Sequence, residues 1–157
     1  MQSTQMTATG RTIVKELVVR ASPERAYRAF TEKAELERWF VTRADVDLRP
    51  GGVYDLTWEP DSRVPGRVVE LDPPRRFVFD WDDGPKYGIT RITVDFEPAD
   101  DERTRIRLVH TGFSTNPDWD PLYLDVTAGW TKELEYLRDW LDSGKAKEWP
   151  TATAQRA

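Results

Sequence analysis

Few side chains in this sequence can do chemistry. His110 is the only histidine among 157 residues, and there is no cysteine. That excludes disulfides, a thiol nucleophile and a thiolate metal site, and it leaves too few nitrogen and sulfur donors for zinc. Acid–base work falls to His110 and Glu70. Ile106, Leu108 and His110 alternate with Arg105, Arg107 and Val109, so a strand there turns His110 to the apolar side. It is either a pocket-facing group that bonds a ligand or moves a proton, or a core histidine with its bonds satisfied. A general acid or base also needs a positioned partner, and the sequence shows none. Glu70 runs in phase with Gly66 and Val68. It is a carboxylate near the same face or a solvated rim residue, depending on how the strand bends before Pro73. No Gly-x-Ser-x-Gly elbow is present. Gly51-Gly52 is a turn pair rather than a phosphate cradle, since no helix opening with Lys-Ser/Thr follows it. No residue is assigned as catalytic, and no cofactor or metal is expected.

Aromatic side chains are the stronger signal. There are seven tryptophans, and most lie where a strand or helix would turn them inward. Trp39, Phe40, Tyr54, Trp58, Phe79, Trp81, Phe96, Phe113, Trp119, Tyr123 and Trp130 are candidate ligand-cavity walls, each with plain core packing as the alternative. Phe79 and Phe96 suit core packing better, whereas Trp39, Phe40 and Trp130 lie near helix ends and suit either role. Gly112, between His110 and Phe113, is a turn glycine or a backbone position close to a ligand. The stretch Ser114 to Pro121, with Trp119, is a connector or a lid. Gly129 is expected to let its helix approach the sheet closely.

The elements that must position these residues read in order. Residues 1–10 form a disordered lead-in. Thr12 to Arg20 is a β-branched strand. Ser22 and Pro23 cap and open a helix carrying Ala26, Tyr27, Ala29 and Phe30, followed by a short helix from Ala34 to Phe40. Strands follow over 44–48, 53–58, 66–71, 77–81, 92–96 and 106–110, with a turn at Arg49-Pro50-Gly51-Gly52 and a loop over Glu59 to Pro65. A long helix from about Leu122 to Asp142 places Tyr123, Val126, Trp130, Leu134, Leu137 and Leu141 on one face, and Gly144 stops it. One domain spans 11–143, and 144–157 is a flexible tail. About seven antiparallel strands must curl, and one helix cannot fill their concave side. A cavity, or a plug of large side chains, follows. Trp140 and Trp149 are read as exposed, so the chain is expected to be a monomer or a weak dimer.

At this length a chain buries about 70% of its unfolded surface, enough for a core without staples. The net charge is −5 with signs interspersed, and Arg75-Arg76 is the only basic pair. Nucleic acid and anionic membranes are therefore poor partners. No stretch approaches the roughly 20 apolar residues of a span, and no leader is visible. A cytoplasmic location is expected.

Five stretches, in order, carry a family resemblance: Thr31 to Phe40 (TEKAELERWF), Asp47 to Gly52 (DLRPGG), Gly66 to Trp81 (GRVVELDPPRRFVFDW), Arg105 to Phe113 (RIRLVHTGF), and Gly129-Trp130 opening GWTKELEYLRDWL. The chain resembles the bacterial single-domain activator-of-Hsp90-ATPase-like proteins of the START/Bet v 1-like superfamily. The resemblance implies an α+β helix-grip fold, a curved antiparallel sheet around a long C-terminal helix, with a ligand cavity between them. It implies a hydrophobic small molecule as partner, since superfamily members bind lipids, sterols or polyketides and some are cyclases or aromatases. Some actinomycete relatives resist enediynes by binding the drug and being cleaved in its place, which would make Gly112 a hydrogen-abstraction site. Hsp90 activation belongs to relatives with an extra N-terminal domain, for which this sequence has no room. An Hsp90-type partner is therefore not expected.

Overall fold

The β-branched run near the N-terminus forms β1 (Gly10–Val19). It is the first element of a computed structural model that describes residues 10–58 and 62–148. The expected lead-in before Gly10, part of the Glu59 to Pro65 loop, Trp149 and the rest of the tail lie outside the described residues. Two helices follow, α1 (Pro23–Thr31) and α2 (Lys33–Trp39). The Ser22 hydroxyl accepts from the Arg25 N–H at 3.1 Å, as expected of an N-cap. The chain then runs through β2 (Arg43–Val46), β3 (Tyr54–Thr57), β4 (Arg63–Val64), β5 (Gly66–Asp72), β6 (Arg76–Asp82), β7 (Ile89–Pro98) and β8 (Thr104–Ser114). A 3-10 turn at Pro117–Trp119 leads into α3 (Asp120–Ser143).

All strand pairs are antiparallel. Five strands form one sheet in the order β1-β8-β7-β6-β5, and three form a second, β2-β3-β4. The two meet where Val53 bridges Arg67 and where Gly51 N–H and Val68 N–H donate to Val68 O and Gly52 O at 2.7 and 2.8 Å. The helix-grip architecture is as expected, with eight strands among the described residues rather than about seven. The additional strand, β4, is two residues long and too short to show any alternation.

Two bulges reset the phase of the strands. Between Val68 and Glu70 the pairing with β6 shifts by one residue, which leaves Glu70 exposed and rules out the cavity-facing alternative for it. On β8, Thr111 and Gly112 together face one residue of β1. Gly112 has φ of +108°, a conformation that suits glycine. The extra residue turns Phe113, rather than Gly112, into the core.

The concave face is lined by Phe77, Phe79, Trp81, Ile92, Val94, Phe96, Ile106, Leu108 and His110, all buried. α1 and α2 close one end with Phe30, Leu36, Trp39 and Phe40, and α3 lays Trp130, Leu134, Leu137 and Leu141 across it. Burying each of these large apolar side chains stabilises the fold by roughly 1.5–3 kcal/mol. The buried polar atoms are placed with equal care. Trp39 Nε1–H donates to Ala29 O at 2.8 Å and Tyr54 O–H to Phe30 O at 2.5 Å, tying α1 to α2 and β3. Gly144, at φ +72°, ends α3 and donates to Trp140 O at 2.9 Å.

Two surface expectations change. Trp140 is half-buried: its Nε1–H donates to Glu35 Oε1 at 2.9 Å, and Arg25 and Arg38 lie over its ring. The segment expected to be a loose tail is anchored at its start. Lys147 N–H donates to Arg38 O at 2.8 Å, and its ammonium lies 3.0 Å from Glu133 with 8% of the side chain exposed.

Candidate functional site

The sheet, α2 and α3 converge on a block of stacked rings. Trp81 on β6 and Trp130 on α3 lie parallel, 5.4 Å apart with 1° between their planes. Phe40, at the end of α2, continues the stack at 5.5 Å from Trp130. Trp58, just beyond β3, meets Phe40 and Trp81 edge-on at 5.1 and 5.9 Å. Much of the space a helix cannot fill is thus plugged by aromatic side chains. What remains is an open cleft of about 260 Å³ beside the first half of α3, lined by these four rings with Val64, Asp83, Leu122, Asp125, Val126, Gly129 and Glu133. A larger groove of about 490 Å³ sits at the β7–β8 hairpin, but the residues that line it, Arg20, Asp100, Asp101, Glu102 and Arg103, are all charged.

Gly129 keeps the cleft open. A methyl group placed on it would meet nothing within 4 Å, so its expected role of bringing helix and sheet into contact is incorrect. It is the missing side chain that leaves room beside Trp130.

Behind the rings runs a chain of hydrogen bonds. Trp130 Nε1–H donates to His110 Nδ1 at 3.0 Å. An indole nitrogen only donates, so Nδ1 carries no proton and the neutral ring carries it on Nε2. Nε2–H then donates to Thr90 Oγ1 at 2.8 Å, and Thr90 O–H donates to Asp83 Oδ2 at 2.6 Å. Burial pushes the His110 pKa down to about 3, which keeps the ring neutral. Burial also raises the Asp83 pKa, and the bond from Thr90 opposes the rise. Both His110 nitrogens are committed, so the ring has no lone pair available for proton abstraction. The chain locks the Trp130 ring, and with it α3, to the sheet.

Carboxylates lie along the cleft. Glu133 is raised by burial and restrained by Lys147 and Trp58, while burial lowers Lys147. Asp125 is exposed on α3.

Of the expected site residues, Phe40, Trp58, Trp81 and Trp130 come together in the cleft. Trp39, Tyr54, Phe79 and Phe96 are buried in the core. His110 and Phe113 pack behind the wall, 4.6 Å apart. Gly112 is exposed, and a methyl group placed on it would meet the β7 backbone at Thr90 Cα at 3.2 Å. Trp119 stacks edge-on with Tyr87 at 4.9 Å. Tyr123 sits under the Arg11 guanidinium at 4.7 Å and donates to Thr12 O at 3.3 Å. The stretch before α3 is held by Arg11. Arg11 donates to Ser114 O at 3.0 and 2.8 Å, to Asn116 O at 3.2 Å and to Asp120 Oδ1 at 2.7 Å. It is a fixed connector, and none of Ser114 to Pro121 lines the cleft.

Sequence reasoning missed Thr90, Asp83, Asp125 and Glu133. Thr90 had a signal, since it extends the alternation of Ile92, Val94 and Phe96 by one step. Asp83 sits in a turn whose aim depends on how β6 and β7 pair.

A family model described as activator of Hsp90 ATPase homolog 1-like protein matches residues 20–142. The chain belongs to this family. Among proteins of curated function, none matches the sequence. Solved structures share the fold. The Aha1 dimer from Colwellia psychrerythraea is 21% identical with a TM-score of 0.77, covering 87% of this chain and 99% of that one. CalU16 from Micromonospora echinospora is 22% identical with a TM-score of 0.71, covering 94% and 81%. DynU16, a putative protein in the dynemicin biosynthetic locus, is 17% identical with a TM-score of 0.73, covering 88% and 51%. No helix of the described residues is long and apolar enough to cross a membrane.

Proposed function

We propose that the protein binds a hydrophobic, flat aromatic or polycyclic small molecule in the cleft between β6 and α3. The observation that carries this reading is the cleft itself: four aromatic rings around about 260 Å³, with three carboxylates spread along its lining. That volume suits a ring system of two or three fused rings, or one end of a longer molecule. Binding is favoured over turnover because His110 has both nitrogens committed, and a cyclase needs a free, positioned base. An interaction module would present a broad apolar patch. Of the exposed large apolar residues Val14, Leu48, Val53, Ile89 and Leu124, Val53 and Ile89 share a groove, and that groove is lined mainly by charged side chains.

The likeness to DynU16, a putative protein in the dynemicin biosynthetic locus, supports sequestration of a polycyclic antibiotic as the biological use. Gly112 is not among the cleft-lining residues, so sequestration, rather than cleavage at Gly112, is the form of protection we favour.

Gly129 supplies the test, because the space above it is open and helix propensity favours almost any replacement. Titration of tryptophan fluorescence with hydroxylated naphthalene and anthracene compounds should show saturable one-to-one binding by the native protein. Gly129→Leu should melt no lower and bind about tenfold or more weakly, because the new side chain occupies the cleft. Equal binding by Gly129→Leu, or no binding by either protein, would overturn the proposal.

A further inference from the structure

The cleft is unusual in its charge. Its lining holds three carboxylates, Asp83, Asp125 and Glu133, and no lysine, arginine or histidine. Glu133 is neutralised by Lys147 at 3.0 Å. The other two are not matched. Asp125 has no ion pair or hydrogen bond among the described residues, and Asp83 is bonded through Oδ2 alone, leaving Oδ1 without a side-chain partner. The acids are spread along the cleft rather than gathered: no group of acidic or histidine side chains among the described residues could hold a metal ion. Dispersed carboxylates over aromatic faces are the arrangement that attracts an organic cation, through ring quadrupoles and long-range charge together.

The cleft wall also holds one unsatisfied polar atom. Trp81 is 6% exposed and lines the cleft, yet its Nε1–H is the one buried side-chain donor without a hydrogen-bond partner among the described residues. A buried donor left unmade is costly, and the other described core tryptophans avoid it, Trp39 through Ala29 O and Trp130 through His110.

We infer that, among flat apolar molecules, this cleft selects those bearing a protonated amine, held between the aromatic rings and the carboxylates of Asp83 and Asp125. The inference rests on the binding site proposed above and adds its charge preference. An amine on a flat body would lie with the body against Trp81 and Trp130 and with the ammonium turned to the Asp125 side of α3.

Three probes share one naphthalene body and differ in charge: 1-naphthylmethylamine, 1-naphthylmethanol and 1-naphthoate. At pH 7 and low salt, calorimetric titration should find the amine bound about tenfold tighter than the alcohol, with the carboxylate weakest. The preference for the amine should shrink in 1 M salt. It should also shrink in Asp125→Asn and Asp83→Asn, both of which keep the shape of the site; an asparagine oxygen at 83 still accepts from Thr90. Equal affinity for amine and alcohol, or tightest binding of the carboxylate, would overturn the charge preference while leaving the apolar site standing. Failure of all three to bind would overturn both.

Discussion

At His110 a single ring joins the long helix to the sheet. Its Nδ1 accepts from Trp130 and its Nε2–H donates to Thr90, an arrangement available only to the neutral form. Burial holds the folded pKa at about 3, against about 6.5 in the unfolded chain. Above pH 6.5 the site is neutral in both states and its stabilisation is complete. Between pH 6.5 and about 3 the unfolded chain takes up a proton that the folded one refuses, so stability falls by up to about 1.4 kcal/mol per pH unit. His110→Leu, which offers neither partner a polar atom, should cost about 1–3 kcal/mol at pH 7.5. Its deficit should close as pH falls from 6.5 towards 4, measured by urea unfolding of both proteins across that range. A deficit that stays constant with pH would mean that His110 is not held neutral. That His110 faces inward was legible from the alternation of Ile106, Leu108 and His110. Its bonds were not, because they depend on a threonine twenty residues earlier and a tryptophan twenty residues later.

At Gly66 backbone crowds in from both sides. A methyl group on it would lie 2.5 Å from Asp80 O and 2.6 Å from Tyr54 O, backbone atoms of the strands on either side. Neither can move without breaking a ladder. Gly66→Ala should therefore destabilise the fold by about 1–3 kcal/mol. Gly10→Ala, where the nearest atom is Phe113 O at 3.6 Å, should stay within about 0.5 kcal/mol of native. Thermal melts of the two variants decide the point, and equal melting temperatures would contradict it. β6, β7 and β8 were legible because Phe77, Phe79 and Trp81 and their counterparts alternate strictly. The two bulges were not, since they arise from how neighbouring strands fit in register. They moved Glu70 out to solvent and put Phe113 in the place that simple alternation gives to Gly112. β4 escaped notice because two residues carry no period.

Across the whole molecule, the space left by one helix on a curled sheet is divided between a plug and a cleft. The aromatic inventory was readable in the sequence, and so was the choice between plug and cavity. Which rings do which was not. Trp39, Tyr54, Phe79 and Phe96 fill the core, whereas Phe40, Trp58, Trp81 and Trp130 border open space. That division turns on a glycine at 129, where α3 carries no side chain to meet the rings. It also makes the central claim directly measurable, because most of the tryptophans carry distinct indole N–H environments. The decisive measurement is an amide and indole nitrogen–proton NMR titration of the labelled protein with neutral 1-naphthylmethanol. The indole signals of Trp58, Trp81 and Trp130 should shift together along one saturation curve, with Trp81 among the largest movers, while Trp39, bonded to Ala29 O in the core, stays in place. Saturable binding that moves Trp119 or Trp140 and leaves Trp58, Trp81 and Trp130 unmoved would place the ligand elsewhere and contradict the account.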